Sequence, residues 1–275
     1  MRYNLYILFD LNIQYNNLVM VIQSEFENRS TEEFTVNTLD NGVVIGELHQ
    51  RENPSQQENE RFNQLLDQNK DSIFVLESDP SNSDIFTEKN SPPTFMSQAL
   101  EFAKKNNIQV EIMDDERISK DRYRIWQEAG TDFSQQDFDI INAIYIMRMG
   151  LNVHNISFEQ VVNNIQNSDI LDEGRKQTYF NSFSKYIKLL QSEDRDIKLE
   201  NIDKLIHLNI KYDAICRERY YQKKIANIME NNPGRKIFAV FGKSHTQGIS
   251  NTIEGSIYLT PLPSIAKMKW LMASI

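Results

Sequence analysis

Residues 41–53 read NGVVIGELHQREN. An apolar run climbs to Gly46, then delivers Glu47 and His49 into polar sequence. Four apolar or small residues bounded by a turn signal and a polar stretch form a short, fully buried strand. Residues 236–245, KIFAVFGKSH, repeat the pattern near the other end of the chain. Both follow apolar strand, Gly, two residues, His: Gly46-Glu-Leu-His49 and Gly242-Lys-Ser-His245. Glycine permits a tight turn or a close backbone approach just before a functional side chain. The chain has only four histidines, and two of them stand in this matched context.

Between the two runs the rhythm alternates. PSQQENERFNQLLDQN (54–69) predicts a helix, with Pro54 near its start and Phe62, Leu65 and Leu66 on one face. SIFVLESD (72–79) predicts a strand, TFMSQALEFAKKNN (94–107) a helix and IQVEIMDD (108–115) a third strand. The helical spacers are long enough for parallel crossovers. From about Asp121 to Asn231 no strand is predicted. Helices are expected over 134–150, 157–166, 175–191 and about 200–230, with Ser157 as an N-cap and Gly150 and Gly174 as punctuation. Strands return at KIFAVFG (236–242) and SIYLTPL (256–262), either side of the polar stretch KSHTQGISNTIEG. Before the first Gly-x-x-His run, YNLYILF, NLVMVIQ and EFTVNT read as extended segments.

The expected fold is therefore α/β: a mostly parallel sheet in two split halves, flanked by helices, with a large helical insertion. The expected organisation is a β-rich extension over 1–40, a split core over 41–115 and 217–275, and a helical insertion over 116–216, all in one compact unit.

Composition narrows the class. The 275 residues are 40% hydrophobic and 25% charged, with a net charge of −9. That is a globular composition, and the acidity argues against a nucleic-acid partner, which calls for a basic face. Cys216 is the only cysteine, so no intrachain disulfide and no cysteine zinc finger is expected. It reads as a small buried hydrophobe. No apolar run reaches transmembrane length. The start, MRYNLYILFDLN, is interrupted by Asp10 and lacks a small-residue cleavage site, so it reads as a strand. The expected location is cytoplasmic, or outside the cell by a route that needs no signal peptide. The ending KWLMASI suits a piece of a larger protein.

In a parallel α/β sheet, ligands bind beyond the carboxyl ends of the strands. Those ends carry Glu47 and His49, then Glu77 and Asp79, then Asp114 and Asp115, then Lys243 and His245. Acids are common after strands, so Asp79, Asp114 and Asp115 carry little weight alone, and the two aspartates at 114–115 suit a turn. His154 and His207 read as a cap and a packed side chain. The run Cys216–Lys224, CRERYYQKK, is a solvated helix face on composition, but it leads into the second Gly-x-x-His strand. Arg217 and Tyr221 lie four apart, on one helix face. Zinc-helix, phosphate-loop, nucleophile-elbow and dinucleotide templates are all missing.

The segment from Arg217 to Ile249 resembles the signature of the TraB/Tiki group: an Arg-bearing helix, an apolar strand and G-x-x-H-x-x-G, here Gly242, His245 and Gly248. GELH at 46–49 resembles the group's first Gly-x-x-His motif, and its GE-x-H form is similar to the ChaN haem-uptake branch. Glu77 resembles the acidic residue ending the next strand, shared with erythromycin esterases. The wider superfamily includes domains of large bacterial toxins. The likeness covers roughly residues 41–115 and 213–260. Glu218 stands where the group usually has Asn or Asp, and Tyr221 where it usually has Met.

The resemblance implies a site of Glu47, His49, Glu77, His245 and Arg217. It implies a hydrolase acting on a peptide or a small ester. In the metal-dependent form, His49, Glu77 and His245 would hold a divalent ion (Mn, Co or Zn) that activates water. In the metal-free form, as in erythromycin esterases, His49 would be the base, oriented by Glu47 or Glu77, with Arg217 at the oxyanion. Two other expectations are a haem- or peptide-binding protein, with the histidines, Tyr220 and Tyr221 as candidates for haem ligation, and a non-catalytic toxin or effector module that meets a host protein.

Overall fold

The computed structural model describes residues 34–47, 54–78, 95–114, 122–152, 157–169, 171–255 and 259–274. His49, Asp79, Asp115, His154 and the segments YNLYILF and NLVMVIQ lie outside them. The described residues fall into two compact units. A sheet unit comprises the described parts of Thr31–Thr131 and Ala214–Leu262. A helical unit comprises those of Asp132–Asp213 and the stretch from Pro263.

The sheet unit is α/β, as the sequence predicts. Its strands are β1 (Phe34–Leu39), β2 (Gly42–Glu47), β3 (Ile73–Ser78), β4 (Val110–Asp114) and β5 (Ile237–Gly242). They form one sheet in the order β1-β2-β5-β3-β4. β2, β5, β3 and β4 run parallel, and β1 pairs antiparallel with β2. The late strand β5 thus lies between two early ones, which makes the sheet from both ends of the chain. EFTVNT supplies β1, joined to β2 by the turn at Asp40 and Asn41.

All six residues of β2 and of β5 are buried, as expected for strands covered on both faces. On one face Val43, Ile45, Phe74, Leu76, Phe238 and Val240 join Phe62 and Leu66 of α1 (Gln56–Gln68) and Phe95, Met96, Ala99, Leu100 and Ala103 of α2 (Phe95–Asn106). On the other, Phe241 meets Tyr221 of the long helix α7 (Arg195–Asn231), with ring centroids 5.4 Å apart. α1 starts just after Pro54, as predicted, with Ser55 as its N-cap. The Ser55 side chain accepts from the Glu58 amide at 3.3 Å, and the Ser55 amide donates to Glu58 Oε2 at 3.0 Å. This reciprocal cap satisfies two of the amides that a helix start leaves unpaired.

The seam between β2 and β5 is tight at Gly42. A Cβ there would lie 2.1 Å from the Ile237 carbonyl oxygen. That neighbour is backbone, so only opening the seam relieves the clash. Gly42→Ala is expected to cost about 2 kcal/mol, within the overpacking range. Urea unfolding followed by fluorescence of the fully buried Trp126 in α3 (Arg122–Ala129) checks this, and an unchanged midpoint would count against it.

The helical unit contains α4 (Gln135–Asn152), α5 (Phe158–Gln166), α6 (Glu173–Leu190), the first part of α7 and α9 (Ala266–Ser274). Ser157 caps α5 with a capping box to Gln160, as predicted. Gly150, predicted as punctuation, instead lies inside α4. Gly174 is the second residue of α6, whose N-cap is Asp172. Buried charge in this unit is paired. Arg148, 4% exposed, donates to both oxygens of Asp203 at 2.9 and 3.0 Å, and Arg175 grips Asp139 at 2.9–3.3 Å.

One predicted strand is corrected. SIYLTPL is not a strand over its described residues 259–262. Pro261 lacks an amide donor, and Thr260 takes hydrogen bonds from and to α7 instead of a strand neighbour. The polar stretch after β5 is a 3-10 turn, Lys243–His245, followed by α8 (Thr246–Ile253). Ile249 and Ile253, four apart, are fully buried, so a one-sided apolar stripe suffices for a helix in a polar segment. No helix among the described residues is long and apolar enough to cross a membrane.

Candidate functional site

The parallel register sets Gly46 and Glu47, which begin the first Gly-x-x-His motif, beside the strand end that begins the second. Gly46 pairs with Phe241 and Glu47 with Gly242. A Cβ on Gly46 would lie 2.5 Å from Thr246 Cγ2, 2.5 Å from Thr35 Oγ1 and 3.3 Å from the Lys243 Cα. The glycine of the first motif is therefore what lets the turn of the second pack against it.

Glu77, near the carboxyl end of β3, is 2% exposed. Both its oxygens are engaged. Oε2 accepts from the Gly242 amide at 2.6 Å, and Oε1 from Arg217 Nη2 at 2.7 Å. The same Nη2 donates to Asp114 Oδ2 at 2.7 Å, and Arg217 Nε donates to the Tyr221 hydroxyl at 2.8 Å. One guanidinium thus ties the ends of β3 and β4 to α7. Charge-assisted bonds of this length are the strong kind, and burial of the carboxylates requires such a partner. Asp114, given little weight from sequence, is a full member of the network.

Tyr221 is wholly buried. Burial pushes its hydroxyl well above the usual tyrosine range, with Arg217 opposing the shift and Asp114 and Glu77 adding to it. It stays a neutral acceptor for Arg217. Its ring also packs edge-on to the His245 ring at 5.6 Å.

His245 ends the 3-10 turn, 4% exposed. Its Nε2 lies 3.9 Å from Glu77 Oε1 and its Nδ1 lies 3.6 Å from Glu218 Oε2. Neither separation is a hydrogen bond. Glu218 is in turn bonded through Oε1 to the Thr260 hydroxyl. Glu47, also 2% exposed, accepts from the Met96 amide at 3.3 Å. That amide belongs to the first turn of α2, where a carboxylate is favoured.

Of the residues proposed from sequence, the structure brings Glu77, Arg217 and His245 together and places Glu47 on the adjoining strand end. His49 lies outside the described residues. Sequence reasoning missed Glu218, Thr260 and Gln222. Gln222 bridges the Gly248 carbonyl and the Thr260 amide at 3.1 and 3.0 Å. The signal for Glu218 was spacing: it stands three residues before Tyr221 and four before Gln222, so the three are neighbours on the helix surface.

The charge around Glu77 disfavours a divalent ion on it. Each carboxylate oxygen already accepts one hydrogen bond. Here one oxygen is held by a guanidinium, whose positive charge would repel the ion, and the other by a backbone amide. Among the described residues no group of three or more His, Cys, Asp or Glu side chains is placed to hold a metal. Tyr220 and Tyr221, the candidates for haem ligation, are both buried. The Tyr220 ring faces the Lys224 ammonium at 5.4 Å.

No protein-family model, no curated protein and no solved structure matches the chain.

Proposed function

We propose that the sheet unit is a hydrolase of an acyl bond, in a peptide or a small ester, that carries protons on His245 and uses no metal on Glu77. The observation that carries this reading is the Arg217 guanidinium seated on Glu77 and Asp114, with Glu77 Oε1 3.9 Å from His245 Nε2. In the proposed reaction, His245 Nε2 takes a proton from water as the water oxygen bonds to the acyl carbon. The imidazolium then gives that proton to the leaving oxygen or nitrogen as its bond to carbon breaks. Glu77 offsets the transient charge on the imidazole, and Arg217 fixes Glu77. The likeness to the TraB/Tiki and erythromycin-esterase motifs supports a hydrolase, and the guanidinium on Glu77 favours its metal-free form over the metal-dependent form that the paired histidine motifs suggest.

The test is hydrolysis of a panel of short peptides and activated esters by the chelator-treated full chain. We expect turnover to survive chelation and to fall about 100-fold or more in His245→Asn, the scale of a lost acid–base group. Turnover that vanishes on chelation and returns with Mn, Co or Zn would overturn the metal-free mechanism. Turnover unaffected by His245→Asn would overturn the role of this site.

A further inference from the structure

We infer that Glu218, held by Thr260, is the positioning residue that sets the tautomer of His245, an inference that rests on the hydrolase reading for its consequence but not for its test. His245 Nδ1 is buried and makes no hydrogen bond. The carboxylate it faces is Glu218 Oε2, at 3.6 Å. A neutral imidazole carries its proton on one nitrogen, and the other presents a lone pair. Two carboxylates compete to decide which. Glu77, on the Nε2 side, is farther and already holds Arg217 and the Gly242 amide. Glu218 is nearer, and its bond to Thr260 is to a neutral hydroxyl. The less neutralised carboxylate wins, so the proton sits on Nδ1 and Nε2 keeps the lone pair that a base needs.

The surroundings are built to keep Glu218 there. Thr260 is tied to α7 through three polar groups: its hydroxyl to Glu218, its amide to Gln222 Oε1 at 3.0 Å and its carbonyl to Arg219 Nη1 at 3.1 Å. Gly248 leaves the space Glu218 occupies, because a Cβ at 248 would lie 2.4 Å from Glu218 Oε1 and 2.5 Å from its Cδ. Thus the second glycine of Gly-x-x-His-x-x-Gly serves the histidine indirectly, through an acid on another element.

The experiment is nitrogen-15 NMR of histidine-labelled full chain at about pH 8, where an ordinary imidazole is neutral. His245→Ala identifies the His245 signals. In the wild type we expect the Nδ1–H tautomer. Glu218→Gln keeps the shape but offers Nδ1 an amide donor, so the tautomer should invert to Nε2–H. Thr260→Val should populate the second tautomer, and Thr260→Ser should restore the wild-type signal. In the hydrolysis assay, Glu218→Gln should lower kcat about 100-fold with little change in KM. An inverted tautomer without hydrolysis in any variant, wild type included, upholds the positioning role and sinks the hydrolase. A His245 signal unmoved by Glu218→Gln overturns the positioning role whatever the turnover, and one unmoved by Thr260→Val removes Thr260 from it.

Discussion

Replacing Arg217 with alanine is expected to destabilise the sheet unit by about 3–5 kcal/mol, the cost of breaking a buried ion pair by removing one partner. The loss comes less from the missing attraction than from what stays behind. Glu77 and Asp114, with side chains 3% and 13% exposed, would lose the guanidinium they share. Arg217 itself is only 19% exposed, so solvent screens the network weakly. The Tyr221 hydroxyl would also lose its donor. Trp126 in the sheet unit reports the loss in a Trp270→Phe background, because these are the chain's two tryptophans. The combination Arg217→Met, Glu77→Gln and Asp114→Asn should recover much of it, since a neutral set leaves no stranded charge. Arg217→Lys should recover little. One ammonium cannot reproduce the planar fork that reaches two carboxylates and a hydroxyl together. A loss below about 1 kcal/mol for Arg217→Ala would mean that the network is no stronger than a surface pair.

This network also shows where sequence reading stops. The two Gly-x-x-His runs and the acids after the strands were legible, because buried strands are short apolar runs and a parallel sheet collects its carboxyl ends on one edge. Which acid takes the arginine was not. That choice depends on β3 lying between β5 and β4, and on the turn of α7 that faces the strand ends. A one-turn slip of α7 would bring Tyr221 where Arg217 sits, and nothing local to the sequence fixes that offset. Asp114 was discounted for the same reason, since a strand-end aspartate and an ion-pair member look alike until the partner is placed. Thr260 was hidden more deeply. SIYLTPL has the composition of a strand, but its described backbone bonds to side chains of α7 and not to a ladder. The helix α8 was hidden by polarity, because its buried face includes Gly248, Ser250 and Thr252.

Phe238→Ala is the second large effect, about 3–5 kcal/mol, the range for deleting a buried aromatic side chain. Phe238 is fully buried in β5, the strand that joins the early and late parts of the sheet. Its ring centroid lies 4.7 Å from that of Phe74 on β3 and 6.2 Å from that of Phe62 on α1. Phe62 continues the contact to Phe95 of α2 at 4.5 Å and to Phe34 of β1 at 6.2 Å. The cavity would thus open at the centre of an aromatic cluster fed by five elements, where neighbours held on separate strands and helices cannot collapse together. Phe238→Leu should cost much less, because it returns most of the volume. The contrast with Arg217 separates two sources of stability. Both variants should lower the urea midpoint seen by Trp126. Added salt should weaken the Arg217 effect only slightly, as for any buried pair, and leave the Phe238 effect intact. A Phe238→Ala loss under about 1 kcal/mol would show that the cluster refills around the missing ring, and that the sheet does not depend on β5 for its apolar face.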